Sequence, residues 1–438
     1  MRFLRSKRFW KRVGLGFVFL VAVGLIVNAV AAWQMESRLQ SRLQAIRAAG
    51  DPATIADLAP PPIPDAENAA VILERIQPRL SEFSHEYAQF YESPLGENYE
   101  ELQDRGEPGT AEQIAAIRAI LTKYQDVEQA LVAAAKCEKY GSRLDYSLDC
   151  SDFIRQMVNT QGLIRGAAGF VHWQMEVLLA EHHNDKAIEQ GLMVLRLARL
   201  YESEPSIVPT LVAIAIRGLI AGQIYEAFAS GPVSPDVAGR VNEELAKVGD
   251  PQRLVHALKS DRAVSGSWSG QILDEPFPVL PRLLSSVMKS NQVGVIDLAN
   301  EYVQLASRPW YEIREQFGEA DSPVPSTGYG AMADMLCPAL RAVFQANARS
   351  IALSRALAVY IALREFKEKN GREATGLVEL ALPKEATTDP FTGQPLKLKW
   401  TDDGWIVYSV MNNGADDGGD FKGLKDYGVA PAKYRGTE

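Results

Sequence analysis

The chain opens on an unbroken apolar run, passes into a long region of helical periodicity and closes on a short stretch of strict alternation. Val13 to Trp33 carries no charge, and Asn28 near its far end is its one strongly polar position. A helix of that length crosses a bilayer. Met35 to Ala49 is polar but still helical in character, so it predicts a continuation of the same helix. Ala59 to Pro64, APPPIP, breaks it, and a stiff polyproline stretch suits a spacer.

Helical spacing then begins. Asp65 or Asn68 is placed to cap a helix carrying Ala69, Ile72, Leu73, Ile76 and Leu80. Residues 92–110 are rich in Gly, Glu and Pro and predict a loop. Thr110 with Gln113 forms a capping-box pattern ahead of a stripe at Ile114, Ile117, Ile120, Leu121, Val127 and Leu131. A helix is predicted over about 151–181, a turn at His182-His183-Asn184-Asp185, and a second helix bearing Ala187, Leu192, Leu195, Leu197 and Leu200. Glu204-Pro205 ends it, and a third helix follows over about 208–228 until Gly231-Pro232. Shorter helices are expected at 234–247 and 251–260. Residues 261–335 lack a clear period. Pro276, Pro278 and Pro281 punctuate them, residues 322–330 predict a loop, and Val293 to Glu315 suits one helix. A long helix is expected from Leu340 to Lys369, stopped by Asn370-Gly371.

Period two takes over near the end. Leu396, Leu398 and Trp400 alternate with Lys397 and Lys399. After Thr401-Asp402-Asp403-Gly404 a second alternation runs from Trp405 to Val410, which predicts a β-hairpin. The fold class is therefore mainly α: an N-terminal transmembrane helix, an antiparallel helical-hairpin domain and a small C-terminal α+β module. The hairpin at AEHHNDKAIEQGLMVLRLARLYE is TPR-like, but no second copy recurs at a fixed period. The expected division is 1–12 basic tail, 13–33 transmembrane anchor, 34–64 stalk and Pro-rich spacer, 65–339 helical domain and 340–438 C-terminal module.

Charge orients the span. Residues 1–12 hold six basic side chains and no acid, so a net −9 against +6 leaves −15 on the remainder. A basic flank predicts a cytoplasmic N-terminus and an extracytoplasmic body. Ala29-Val30-Ala31 also fits a signal-peptide cleavage site, although the apolar run exceeds a usual signal core. An acidic body argues against nucleic acid as a partner. Three cysteines are too few for a disulfide scaffold. Outside the cytoplasm Cys137 and Cys150 could close a short bridge, or both could be free buried thiols, and Cys337 is expected to be buried.

After the hairpin come Asn412, Asn413, Asp416, Asp417 and Asp420, threaded by Gly414, Gly418 and Gly419. Hard oxygen ligands on a tightly folding backbone suit Ca²⁺. They equally suit a solvated turn. The run from Ser354 to Asp420 resembles the globular part of the major pseudopilins of type II secretion. The matching pieces are Tyr360, the helix end at Gly371, Gly376 to Leu380, Asp389-Pro390-Phe391-Thr392-Gly393-Gln394-Pro395, Tyr408-Ser409 and Asn413 to Asp420. The resemblance implies a calcium loop with Asp416, Asp417 and Asp420 as side-chain ligands, Asn413 beside them and backbone carbonyls completing the shell. Filament subunits carry a Glu at the fifth mature position, where this chain has Val21 after Gly16-Phe17, so a pseudopilin-like module is expected rather than a filament subunit. The layout as a whole resembles membrane-anchored envelope proteins of planctomycete-type bacteria.

No catalytic constellation declares itself. His182-His183 lacks a metal-ligand spacing, and His172 beside Trp173 suits a core position. SGSWSG places Trp268 where a nucleophile elbow needs Ser, so Ser267 and Ser269 do not form one. The expectation is a non-enzymatic scaffold or adaptor that binds a protein partner in the cell envelope, with a Ca²⁺-stabilised terminal module. The alternatives are an accessory component of a type II secretion or pseudopilus-like system, and a hydrolase built on acids such as Glu176, Glu181 and Asp185.

Overall fold

A computed structural model describes residues 7–104, 107–271, 285–317, 329–431 and 434. The apolar run and the polar segment after it form one helix, α1 (Lys7–Ala48). Leu15, Phe17, Phe19, Leu20, Ile26 and Trp33 stand exposed on it, and among the described residues little packs over the charge-free run. Beyond Trp33 the helix does not stand free. Leu39 and Ile46 are buried against Ile296, Arg42 forks onto Asp297 at 2.8 and 3.4 Å, and Glu36 pairs with Lys289. The expected free stalk over 34–64 is thus corrected: its first half packs on the body. Its proline segment also lies on the body, with Ile63 against Gly141, where a Cβ would come within 2.8 Å of Ile63 Cδ1.

The body is helical. Its first part comprises α2 (Ala69–Arg75), α3 (Gln77–Tyr91), α4 (Pro94–Asp104), α5 (Ala111–Thr122) and α6 (Gln125–Ala135). Asn68 caps α2 by accepting from Ala70 N at 3.1 Å, and it grips Gly141 through both the N–H and the carbonyl. Thr110 and Gln113 close the capping box at α5. The helix α4 falls where a loop was expected. Its Gly and Glu content hid a helix that Tyr99 seats in the core.

The second part is α7 (Cys150–Ala180), α8 (Asn184–Tyr201), α9 (Val208–Ser230), α10 (Pro235–Leu245) and α11 (Pro251–Gln271). The helices α7, α8 and α9 pack on one another. Gly191 lets them close, since a Cβ there would sit 3.0 Å from Ile220 and Met175. Phe83 lies edge-on to Phe170 and Trp173, which fills the space between α3 and α7.

Two further helices complete the frame, α12 (Ser285–Leu305) and α13 (Ala331–Asn370). The single helix expected over 293–315 breaks at Leu305, and Pro309 starts a one-turn helix at Trp310–Ile313. The long helix begins at Ala331, ahead of Pro338, so the expected boundary at 339/340 falls inside a helix. Residues 272–284 and 318–328, which hold Pro276, Pro278, Pro281 and most of the expected 322–330 loop, lie outside the described residues.

The sheet is antiparallel in the order β1 (Lys397–Thr401), β2 (Gly404–Ser409), β3 (Tyr427–Val429). Thr401 pairs with Gly404 across a two-residue turn, and Gly404 has φ +124°. The expected hairpin is present, but Trp400 is 50% exposed rather than on a dry face. The third strand was not foreseen. Gly428 makes it possible, because a Cβ there would strike Val407 O. Leu396, Val407 and Val429 share one core with Leu353, Leu357 and Ile361 of α13 and with the α7–α9 helices, so the sheet is built onto the helical body.

The three cysteines are buried and in no disulfide, so the Cys137–Cys150 bridge is not formed. Cys137 faces Ala66 O and Cys150 faces Val264 O, in different apolar clusters. Burial, with Asp149 adding to it, pushes the Cys150 thiol up to about 11.

Asp389 pins the DPFTG turn to the sheet. Its carboxylate accepts from Phe391 N at 2.8 Å, Ser409 Oγ at 2.8 Å and Val410 N at 3.1 Å, all buried. Asp389→Ala is expected to destabilise the full chain by about 3 kcal/mol, because it strands buried donors. Chemical denaturation in detergent measures this, and an unchanged midpoint would contradict it.

Candidate functional site

The acidic loop follows β2. Gly414, Gly418 and Gly419 adopt φ of +65°, +73° and +78°, which lets the backbone double back. Asp416 Oδ1 accepts from Tyr408 Oη at 2.7 Å and Gly418 N at 3.1 Å, and Oδ2 faces Lys397 Nζ at 3.3 Å. The Tyr408 hydroxyl, then these other contacts, hold its carboxyl below the usual range. Asp417 accepts from Asn413 Nδ2 at 2.7 Å. Asp420 accepts from Lys422 N and Lys425 Nζ, each at 3.1 Å, and these contacts lower its pKa. Asn412 is drawn away to accept from Trp310 Nε1 at 3.1 Å.

Asp426 was missed by the sequence reading. It is fully buried under the loop. Its Oδ2 accepts from Gly419 N at 2.8 Å, and the Asp417 backbone N–H also bears on the carboxylate. Burial raises its pKa, and the nearby charges of Asp417 and Asp416 raise it further. The charges of Asp416 and Asp417 thus act on Asp426, whereas Asp420 turns to Lys425. Among the described residues no three His, Cys, Asp or Glu side chains stand together as a ready metal-ligand group. The donors are nevertheless of the right kind, hard carboxylate oxygens.

A second feature is a cavity of about 570 Å³ where the α8–α9 turn and α11 meet the proline segment Pro60–Ile63 and the 138–141 loop. Leu58, Pro61, Ile63, Leu200 and Pro205 make much of it apolar. Its polar groups are unevenly paired. Glu202 is buried and held by Arg217 and Arg253. Glu204 is equally buried. Its Oε1 accepts from Ser142 N at 2.9 Å, and the Ser142 side chain bears on both Glu204 and Tyr140. Arg253 Nε is buried without a hydrogen-bond partner. Burial is the largest influence on Glu204 and raises its pKa. The turn itself is strained: Ser206 has φ +87° and donates to Asp261 Oδ1 at 3.3 Å. The Glu204-Pro205 pair had been read only as a helix breaker. Two acids within one interhelical turn were the available signal.

A third feature is a cleft of about 440 Å³ between α9, α13 and the hairpin. Trp400, Trp405, Tyr225 and Tyr360 line it, and Lys367 lies over the Trp400 ring at 5.8 Å.

The acids considered for a hydrolase each face different neighbours. Glu176 accepts from Gln223 at 2.9 Å, Glu181 pairs with Arg118 and faces His183, and Asp185 accepts from Ser234 N. His172 is buried in the core, and burial pushes its pKa down. Ser267 lies in α11 and donates to Ala263 O, while the Ser269 side chain lies outside the described residues.

A buried carboxyl with a raised pKa stabilises the fold below its unfolded pKa and loses that contribution as pH rises through its folded pKa. Glu204→Gln mimics the protonated form. It is expected to leave stability unchanged near pH 4 and to raise it near pH 8, by roughly 1.4 kcal/mol for each unit of the shift it removes. Unfolding midpoints at both pH values test this, and equal effects at both would contradict it.

No family model, curated protein or solved structure matches the chain, so its own residues carry what can be said of its function.

Proposed function

We propose that this protein is a membrane-anchored extracytoplasmic scaffold that acts by binding another protein rather than by catalysis. The observation that carries the reading is the cavity beside the α8–α9 turn. It has an apolar wall of prolines and leucines, a volume suited to one or two side chains, and two deeply buried polar groups, Glu204 and Tyr140, that share the one Ser142 side chain. A buried acceptor short of donors costs free energy, and a donor supplied by a partner relieves that cost. The stacked helices α7–α9, TPR-like in kind, present the turn that frames this cavity. The exposed α1 run supports the anchor, and the basic first twelve residues support a cytoplasmic N-terminus.

Gln252 and His256 are exposed at the rim. Complexes solubilised from native membranes in mild detergent are expected to exceed the mass of this chain alone, and Gln252→Trp with His256→Trp is expected to shrink the larger species at least tenfold. Native complexes containing only this chain would defeat the scaffold reading.

A second reading concerns the terminal loop and is favoured by Asp426. We infer that Ca²⁺ stabilises it, with Asp426 Oδ1, Asp416 and Asp417 as side-chain ligands, and that Asp420 serves Lys425 instead. The order of long helix, hairpin and acidic loop also keeps an accessory role in a pseudopilus-like system as a proposal. Co-purification with secretion components separates that role from a general scaffold. Thermal unfolding of the full chain with Ca²⁺ and then with chelator tests the metal. Ca²⁺ at about 100 times its Kd is expected to stabilise by about 2.7 kcal/mol. Asp416→Asn should abolish the shift and Asp420→Asn should retain it. A melting point indifferent to Ca²⁺ would make the loop a solvated turn.

A further inference from the structure

Asn28 is the polar residue inside the apolar run, and it is not left to lipid. Its Nδ2 donates to Ser285 Oγ at 3.2 Å, and its Oδ1 accepts from Ser286 Oγ at 2.8 Å and Ser286 N at 3.4 Å. These serines are the first described residues of α12, and their hydroxyls satisfy the Asn28 side chain across more than 250 positions of sequence.

The pairing continues outward in parallel. Glu36 meets Lys289, Leu39 and Ile46 meet Ile296, and Arg42 meets Asp297. Both helices therefore run in the same direction, and their relative height can be read along α1. At 1.5 Å per residue, Asn28 lies about 7 Å inside the level of Trp33. Trp33 is 72% exposed and closes the charge-free run, the usual position of an aromatic residue at a membrane interface. The first charge on α12, Lys289, pairs with Glu36 about 4 Å outside that level. Before it, Val287 is 53% exposed and apolar.

From this register, and resting on the reading of α1 as a membrane anchor, we propose that the segment Ser285–Met288 of α12 sits within the bilayer interface beside α1. The lipid-facing surface is then a parallel two-helix stem, with Val287 against acyl chains and the Lys289–Glu36 pair in the headgroup layer. Water is scarce at the depth of Asn28, so an unpaired amide there is costly, and hydroxyls from a neighbouring helix are a common remedy. Two helices entering together also hold the body at a fixed height and orientation, which a single helix on a spacer does not.

The experiment uses the full chain in phosphatidylcholine liposomes, with an environment-sensitive label on one introduced cysteine and quenchers carried at known depths on the lipid. The native cysteines are buried, so labelling under native conditions selects the introduced one. Leu20→Cys reports the anchor, Val287→Cys the proposed insertion, and Gln304→Cys the outer end of α12, where Gln304 is exposed. Leu20 is expected to be quenched by deep probes. Val287 should be quenched by shallow probes at least threefold more than Gln304. Adding Asn28→Leu should at least halve the Val287 signal and leave the Leu20 signal unchanged. Quenching at Leu20 with Val287 equal to Gln304 would overturn the proposal while leaving the anchor intact. An unquenched Leu20 would overturn the anchor reading and this inference together.

Discussion

The burial of α13 on two sides is the constraint on which the architecture depends. Near its start, Leu340, Val343 and Phe344 pack with Tyr302, Trp310 and Phe317. Further along, Leu353, Leu357 and Ile361 enter the main core with α9 and the sheet. Each such side chain contributes about 1.5–3 kcal/mol when removed from water. One helix thus joins two apolar clusters that would otherwise be separate, and it leaves little scope for the last hundred residues to fold as an independent unit. Tyr225 and Tyr360, 4.4 Å apart between ring centroids, mark the seam between α9 and α13.

A second theme is the uneven treatment of buried polar groups. Asn68, Asp389 and Glu202 are surrounded by donors or opposite charges that fully occupy them, so each joins distant segments of chain. Such groups are structural. Glu204 and Asp426 are buried as deeply but have fewer donors and no ion-pair partner among the described residues, so burial raises the pKa of each. That difference is why the proposals above rest on these two carboxyls. This contrast, and not the number of acids present, separates the two candidate sites from the many surface carboxylates. Among surface acids, Glu181 and Asp420 are neutralised by Arg118 and Lys425, and exposed pairs of that kind contribute little.

Several features were legible because they are local. The charge-free run, the Thr110–Gln113 capping box, the helical hairpin at His182–Asp185 and the two-residue turn at Asp402-Asp403 each depend on neighbours within a few positions. Others were not legible for the same reason. Three residues of β3 show no period of their own and form a strand because β2 offers free backbone groups. The helix α4 has few apolar residues, and packing of Tyr99 decides it. Pro338 looked like a boundary, but a proline near the start of a helix is tolerated when the surrounding helix is held by burial on both sides. In the acidic loop the closeness of Asp416 and Asp417 was readable from their adjacency in sequence. The role of Asp426 was not, since it lies beyond the loop and is brought under it only by β3.

The sequence by itself determined the class of this protein: an anchor-length apolar helix, an acidic, predominantly helical body and a terminal hairpin. Those properties follow from periodicity and charge, which any short window of residues displays. Tertiary structure alone decided which surfaces meet. It seated α12 on α1 through Asn28 and the two serines, merged the terminal sheet into the helical core, separated Cys137 from Cys150 and buried Glu204 and Asp426 without an ion-pair partner among the described residues. Contacts between residues hundreds of positions apart depend on shape and on hydrogen-bond satisfaction, and neither is written in the local pattern of a chain.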